Sequence, residues 1–298
     1  MTDKLPSDMN YNLEFTVPIF DVNYIGENKS SQDMWNNSID FFGNIKDYCI
    51  DSKTNIYLKQ FNYFTFSNYG DLKTDVLSQL DIEYLGRAEF AFVFECKKDE
   101  LEDYKQKLIL LLLAARISKQ SDLSIKYIIC KNPPQFSLKY SDNWKYAISA
   151  IRIKSERQEL NKFDLDKVVL TYKQLQEFFK ISSRTTHAVN FLFLAYTSYY
   201  WMEAFMLLMT ALETLVSPDE RGAIVKPITS RVVSLINDKN ICSRTKFEKI
   251  YDLRSDIIHG KILVDINFEK ELPRLQQLEK IVLAIFKVLL EKDYKNIY

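Results

Sequence analysis

One stretch indicates most clearly that the C-terminal half of this chain is helical: Tyr251-Asp-Leu-Arg-Ser-Asp-Ile-Ile-His-Gly260. At about 100 degrees per residue, Arg254 projects from the middle of an apolar face, and His259 lies about 140 degrees away at its edge. The apolar residues predicted to share the face of Arg254 are Phe247, Ile250, Tyr251, Leu253, Ile257 and Ile258. A guanidinium in this position needs an anion, because an unpaired buried charge is costly and arginine does not deprotonate.

Helical periodicity extends from this stretch in both directions. It predicts five helices, over Asp166 to Lys180, Thr185 to Val216, Asp219 to Asn237, Ser243 to His259 and Phe268 to Lys292. Pro227 should start or kink the third of them, and Gly260 should end the fourth. Residues 161–298 are therefore predicted to form an all-α bundle.

Residues 1–160 have a different pattern, rich in β-branched and aromatic residues. Strands are predicted over Leu13 to Val22, Ile56 to Phe66, Glu89 to Glu95 and Leu123 to Cys130, and a helix over Asp99 to Lys119. The predicted fold class is α+β, with a mixed α/β sheet domain over residues 1–160 followed by the helical bundle. The division is placed near Asn161, and the first domain is interpreted as a sensor or substrate-selection domain.

Composition places the chain among ordinary globular proteins, with 298 residues, enough for two domains. The four cysteines are far apart in the sequence and predict neither a zinc site nor a disulfide framework. The first residues, MTDKLPSDMN, do not resemble a secretion signal. The run Ala188 to Met202 carries no charge, but Glu203 and Glu213 interrupt its continuation, which disfavours a membrane span. We expect a cytoplasmic protein without membrane contact.

Forty basic and forty acidic residues cancel, so any surface that attracts nucleic acid must be local. Between Arg221 and Ile250, seven basic residues accompany two acidic ones. The residues predicted to hold RNA phosphates in this segment are Arg231, Arg244, Lys246 and Lys249. An ordinary solvated face is the alternative interpretation.

Only two histidines, His187 and His259, are present to move protons near neutral pH. His187 lies at a predicted helix start and is interpreted as a surface or capping residue. His259 follows Arg254 by five residues, and this pair suits RNA cleavage by attack of the 2′-hydroxyl. In that reaction an imidazole moves protons and an arginine stabilises charge on the phosphorane. The route requires neither a metal nor another cofactor.

Glu213 is a lone carboxylate in the otherwise apolar run Phe205 to Val216, so it should have a cationic partner. We predict that it pairs with the helix carrying Arg254, and with Arg254 itself. An ion pair that serves only helix packing is the alternative.

The segment Leu253 to Gly260, preceded by a helix with Ala211-Leu-Glu213 and a basic helix with Arg231, resembles HEPN domains of the ApeA-like group. The resemblance covers the C-terminal domain only. It implies that Arg254 and His259 are ribonuclease residues and that two protomers join their motifs in a shared cleft, as a homodimer. Glu213, Ser255 and Asp256 are the predicted supporting residues. Ser255 is shorter than the Asn, Asp or His that HEPN proteins often carry there.

The predicted function is a metal-independent endoribonuclease of the antiphage or toxin type, an effector of abortive infection. Its predicted partners are RNA, a second copy of the chain, and an antitoxin or a phage-derived trigger. A non-catalytic HEPN scaffold, an RNA- or nucleotide-binding module, and a toxin controlled by a separate antitoxin are the alternatives. The sequence contains no P-loop, Rossmann or Ser-His-Asp pattern.

Overall fold

The computed structural model describes residues 13–21, 47–61, 85, 88, 90–119, 123–125, 128–130, 162–198, 200–217, 225–262 and 268–292. Within these ranges the protein is α+β, with a small antiparallel sheet and seven α-helices that contain most of the residues. The predicted α+β class is confirmed.

In the part of the chain that the structure describes, six strands form the sheet. They are β1 Leu13–Asp21, β2 Asp47–Asp51, β3 Ile56–Gln60, β4 Phe90–Cys96, β5 Leu123–Ile125 and β6 Ile129–Cys130. Their order across the sheet is β2-β3-β4-β1-β5, and β6 pairs with β1 along the same edge as β5. Every pairing between them is antiparallel, with Phe15 of β1 opposite Phe94 of β4. The turn between β2 and β3 contains Asn55 at φ 52°, a left-handed conformation that asparagine tolerates well.

An aromatic stack holds the first helix, α1 (Leu101–Lys119), on the sheet. Phe94 lies between Phe15 and Tyr104, with ring centroids 5.4 and 4.6 Å away. The Tyr104 hydroxyl donates a hydrogen bond to the carbonyl of Thr54 at 3.0 Å. Phe15 and Phe94 are almost fully buried. Each contributes on the order of 2 kcal/mol by leaving water.

The remaining helices are α2 Lys162–Ile181, α3 Ser183–Thr197, α4 Trp201–Val216, α5 Val225–Ile236, α6 Arg244–Ile258 and α7 Phe268–Glu291. Helix α4 lies at the centre, because it contacts α3, α5, α6 and α7. Its buried residues are Trp201, Ala204, Phe205, Leu208, Met209, Ala211, Leu212, Leu215 and Val216. This apolar helix therefore provides much of the core around which the others pack.

The described residues divide into two compact units. One contains the sheet, residues 101–112 of α1 and residues 162–169 of α2; the other contains residues 113–119 and the described chain from Leu170 onward. The predicted boundary near Asn161 lies outside the described residues.

The predicted single helix from Thr185 to Val216 is wrong, because the chain breaks between α3 and α4. Ser198 and Tyr200 have extended ψ angles of 132° and 129°. The Ser198 hydroxyl donates to Glu203 Oε2 at 2.5 Å, which stabilises the interruption. Hydroxyl-bearing and aromatic residues at this point have modest helix propensity, so a tertiary arrangement can override the periodic pattern.

Other boundaries also differ from the predictions. The predicted strand from Leu123 to Cys130 consists of the two pieces β5 and β6, and β3 ends at Gln60. Residues 62–66, also assigned to that strand, lie outside the described ranges. Helix α5 is described from Val225, and Pro227 lies in its first turn, where its missing N–H costs nothing. Strand β2 was not predicted.

No helix in the described ranges is both long enough and apolar enough to cross a bilayer.

Candidate functional site

Helix α6 carries the Arg-x-x-x-x-His motif. It begins after Ser243, whose hydroxyl accepts a hydrogen bond from the Lys246 backbone N–H at 3.3 Å. The buried residues of α6 are Phe247, Ile250, Tyr251 and Leu253, which fixes the face that meets the bundle. Ile258 was predicted on this face, but it is 52% exposed. The buried face of α6 therefore does not extend through its last turn, which the histidine follows as the C-cap residue.

Glu213 of α4 and Arg254 of α6 form an ion pair, as predicted. Arg254 Nη2 donates to Glu213 Oε2 at 3.3 Å, and Arg254 Nε lies 3.2 Å from Oε1. That Nε is buried, and its N–H does not have hydrogen-bond geometry toward Oε1. The two side chains are 32% and 22% exposed, so the pair lies at the border of the core. The carboxylate therefore occupies the side of the guanidinium formed by Nε and Nη2.

Tyr251 completes this group of side chains. Its hydroxyl donates to Glu213 Oε1 at 2.8 Å, and its ring centroid lies 5.9 Å from Arg254 Cζ. Burial, followed by the charge of Glu213 and the hydrogen bond to it, raises the pKa of Tyr251 well above that of a free tyrosine. The hydroxyl consequently remains a donor at any physiological pH.

Glu213 lies at a helix end to which several arginines bind. It lies in the last turn of α4, where the helix dipole places partial negative charge, so a carboxylate there is unfavourable on its own. Besides Arg254, two arginines bind the end of the helix: Arg231 Nη1 donates to the Val216 carbonyl at 3.1 Å, and Arg184 Nη1 donates to that of Ser217 at 3.4 Å. Three helices, α3, α5 and α6, thus each bring an arginine to one helix end.

His259 occupies the C-cap of α6 and is exposed. The chain leaves the helix through a Schellman motif, with the Gly260 N–H donating to the Ile257 carbonyl at 3.1 Å and the Lys261 N–H to that of Asp256 at 2.9 Å. Gly260 adopts φ 66°, which favours glycine. This turn fixes the backbone that carries the imidazole, and the described residues make no hydrogen bond with its side chain.

Part of the Arg254 guanidinium remains unengaged. Arginine carries five N–H donors. Glu213 accepts one of them, and the neighbouring Nε–H is covered by the same carboxylate. The outer edge of the guanidinium is formed by Nη1 and the second N–H of Nη2. Within the described ranges no side chain or carbonyl accepts a hydrogen bond from this Nη1–Nη2 edge. That edge matches two oxygens of a phosphate.

The remaining predicted site residues have varied positions. Ser255 is exposed, whereas Asp256 pairs with Lys261 at 3.0 Å across the helix end. Of the predicted phosphate-binding residues, three have hydrogen bonds within the protein: Arg231 as above, Arg244 to the Ser230 hydroxyl and Lys246 to the carbonyls of Lys239 and Asn240. Lys249 is exposed on α6.

His187 lies apart from this group on α3, where it is exposed and 6.4 Å from the Phe191 ring. This matches its interpretation as a surface residue. In the part of the chain that the structure describes, no three His, Cys, Asp or Glu side chains converge as metal ligands would.

Two residues of the site, Tyr251 and Arg184, were not predicted. Tyr251 had a local signal, because it precedes Arg254 by three residues and so shares its helix face. Arg184 had none, because its contact with the end of α4 spans 33 residues of sequence.

Comparison of the chain with protein-family models, with curated proteins and with solved structures finds no match.

Proposed function

We propose that this protein is a metal-independent endoribonuclease of the HEPN type, with Arg254 and His259 as its reacting groups. One observation supports it above the others: Arg254 is held by Glu213 with its Nη1–Nη2 edge unengaged, five residues before an exposed histidine at the helix end. An oriented cation and an imidazole, here carried by the same helix, are the groups that phosphoryl chemistry on RNA uses.

The reaction follows from these two groups. The 2′-hydroxyl of a ribose gives its proton to a neutral His259 while its oxygen forms a bond to the adjacent phosphorus. The bond from phosphorus to the 5′-oxygen breaks, and that oxygen accepts a proton from an imidazolium. Arg254 stabilises the negative charge that accumulates on the phosphorane. The products are a 2′,3′-cyclic phosphate and a 5′-hydroxyl.

The two proton transfers motivate the homodimer. One takes place at the attacking oxygen and the other at the leaving oxygen, on opposite sides of the phosphorus. One chain contributes a single motif histidine, and two copies contribute two. We therefore propose a composite site formed by two motifs in a homodimer.

Control of such an activity is part of the proposal. A protein that cuts cellular RNA must remain inactive until it is needed, so an antitoxin or a phage-derived trigger is the proposed regulator. The N-terminal unit is the proposed sensor or substrate-selection element of this defence effector.

The test uses purified full-length protein and total RNA in the presence of EDTA. We expect wild type to release fragments with 2′,3′-cyclic phosphate ends. Arg254→Ala and His259→Ala should cut at least about 100-fold more slowly. His187→Ala is the matched control, since that histidine is also exposed but lies on α3. Equal cleavage by wild type and by both motif variants would exclude the assigned residues.

The composite site has its own test. Arg254→Ala and His259→Ala proteins are unfolded and refolded together, so that mixed dimers form. Partial recovery of cleavage, absent when either variant is refolded alone, is the expected result. A monomer by light scattering, active without self-association, would contradict the shared site.

A non-catalytic module is the second candidate, because the Glu213–Arg254 pair also suits a purely structural contact between α4 and α6. A scaffold of this kind binds RNA, nucleotide or a partner protein without cutting. Growth arrest upon expression, relieved by His259→Ala, would favour the enzyme over this candidate. RNA binding that is unchanged by His259→Ala, without any cleavage, would favour the module.

A further inference from the structure

The short hydrogen bond to the Glu213 carboxylate comes from Tyr251. The Tyr251 hydroxyl lies 2.8 Å from Oε1, whereas the two Arg254 contacts with the carboxylate are 3.2 and 3.3 Å long. The longer of these joins Nη2 to Oε2, and the other lacks hydrogen-bond geometry. The arginine therefore makes one hydrogen bond to the carboxylate, and the tyrosine adds a second that fixes its orientation.

Orientation of the carboxylate determines orientation of the guanidinium. With Oε1 bound by Tyr251, the carboxylate plane of Glu213 cannot rotate without breaking either that bond or the one to Nη2. The plane of Arg254 follows, because Nε and Nη2 both lie against this carboxylate. The unengaged Nη1–Nη2 edge then has one direction in space instead of many.

Tyr251 is itself well fixed. Its side chain is buried, and its ring meets that of Phe247 edge-on, at 5.4 Å and 72°. Phe247 is fully buried one turn earlier in α6. The hydroxyl is thus carried by a rigid ring on the same helix as Arg254, three residues before it.

From this geometry we infer that Tyr251 is a positioning residue, which acts through Glu213 to hold the Arg254 guanidinium in the orientation that stabilises charge on the phosphorane. The inference rests on the proposed function. It assigns Tyr251 no contact with RNA, and it predicts an effect on turnover instead of RNA affinity.

The kinetic test compares Tyr251→Phe with Tyr196→Phe. Both substitutions delete one hydroxyl that donates to a glutamate, since Tyr196 donates to Glu279 Oε1 at 2.6 Å between α3 and α7. Tyr251→Phe should lower kcat by about 10- to 100-fold, the cost of a small misplacement of a reacting group. KM and the affinity for a non-cleavable RNA with 2′-deoxyribose at the cut should remain unchanged. Tyr196→Phe should retain kcat within about twofold, because that contact joins other helices.

A double variant separates positioning from general loss of stability. If Tyr251 acts through Glu213, Tyr251→Phe combined with Glu213→Gln should turn over no more slowly than Glu213→Gln alone. Multiplicative losses, or equal losses of kcat in the two tyrosine variants, would overturn the inference. So would a Tyr251→Phe protein with the kcat of wild type.

A second measurement does not depend on cleavage. The side-chain Nε–H signal of Arg254, assigned by its disappearance in Arg254→Lys, is recorded by NMR in the full chain. Tyr251→Phe should shift or broaden it, and Tyr196→Phe should leave it in place. An unmoved signal in Tyr251→Phe would overturn the inference even if wild type cuts RNA. A moved signal in a protein that cuts RNA equally well with and without Arg254 and His259 would support the positioning and reject the proposed function.

Discussion

Tyr251 is buried, and its hydroxyl donates a hydrogen bond to the Glu213 carboxylate. Both features make ionisation of this hydroxyl costly. Its pKa is raised by burial and by Glu213, whereas a tyrosine in an unfolded chain ionises at about pH 10. The stabilisation that depends on the neutral hydroxyl is therefore fully present below about pH 10 and is lost as the pH rises above it.

We expect the difference in unfolding free energy between wild type and Tyr251→Phe to shrink as the pH is raised from about 8 to 11. Urea denaturation followed by far-ultraviolet circular dichroism measures it. Tyr48, whose pKa is raised to about 12, contributes to both proteins and cancels in the difference. A difference that stays constant over this range would mean that Tyr251 ionises alike in both states.

The sequence alone could predict that Glu213 and Arg254 each needed a partner of opposite charge, but it could not predict every hydrogen bond that they make. Glu213 lies in an apolar helix and Arg254 on an apolar face, so desolvation made their pairing predictable across 41 residues. The bond from Tyr251 to Glu213 was not, because a buried tyrosine is satisfied by many acceptors and its ring alone accounts for its burial. The orientation of the guanidinium depends on that unpredicted bond.

Helix α6 ends at a glycine whose conformation, not its surroundings, restricts substitution. Gly260 has φ 66°, and a Cβ placed there would meet no atom within 4 Å. Gly260→Ala should lower the unfolding free energy by about 1 kcal/mol, the strain of an L-residue in the left-handed region. Gly260→Asn should cost less, because asparagine visits this region more readily. Urea denaturation of both variants checks the order, and an equal loss would contradict the assignment to backbone strain.

The other end of α6 depends on Ser243. Its hydroxyl accepts from Lys246 N at 3.3 Å and satisfies one of the N–H groups that a helix start leaves unpaired. Ser243→Ala should cost about 1 kcal/mol of unfolding free energy, and Ser243→Asp should retain the cap. Thermal denaturation by circular dichroism compares them. Equal stability of the alanine and aspartate variants would show that this cap contributes nothing.

Elements were predictable where periodicity was long and unbroken. Helices α2, α5, α6 and α7 and the strand around Phe92 were predicted from apolar spacing. The break between α3 and α4 contains neither glycine nor proline, and it depends on a hydrogen bond from Ser198 to Glu203 that periodicity does not reveal. Strand β2 is five residues long and carries an aspartate at each end, too few residues for a clear alternation.

The 298 residues carry no formal net charge, so the RNA binding that we propose must come from a few residues. Among the predicted phosphate-binding residues, Lys249 is exposed, whereas Arg231 binds the end of α4. Lys249→Gln should reduce the slope of log affinity against log salt by about 1 without loss of stability. Arg231→Gln should instead lower the unfolding free energy. Fluorescence anisotropy with a labelled RNA at several salt concentrations measures the slope, and urea denaturation measures the stability. An unchanged slope in Lys249→Gln, or an Arg231→Gln protein as stable as wild type, would contradict these predictions.

Helix α4 cannot complete its packing during synthesis until the last described helix, α7, has left the ribosome. Glu213 leaves the ribosome before Arg254, and the apolar face of α4 also needs α7, which follows the motif in the chain. A nascent chain therefore contains the Arg-x-x-x-x-His residues while the helix that orients the arginine still lacks part of its packing. The Glu213–Arg254 pair therefore gains its full support only after α7 has been synthesised.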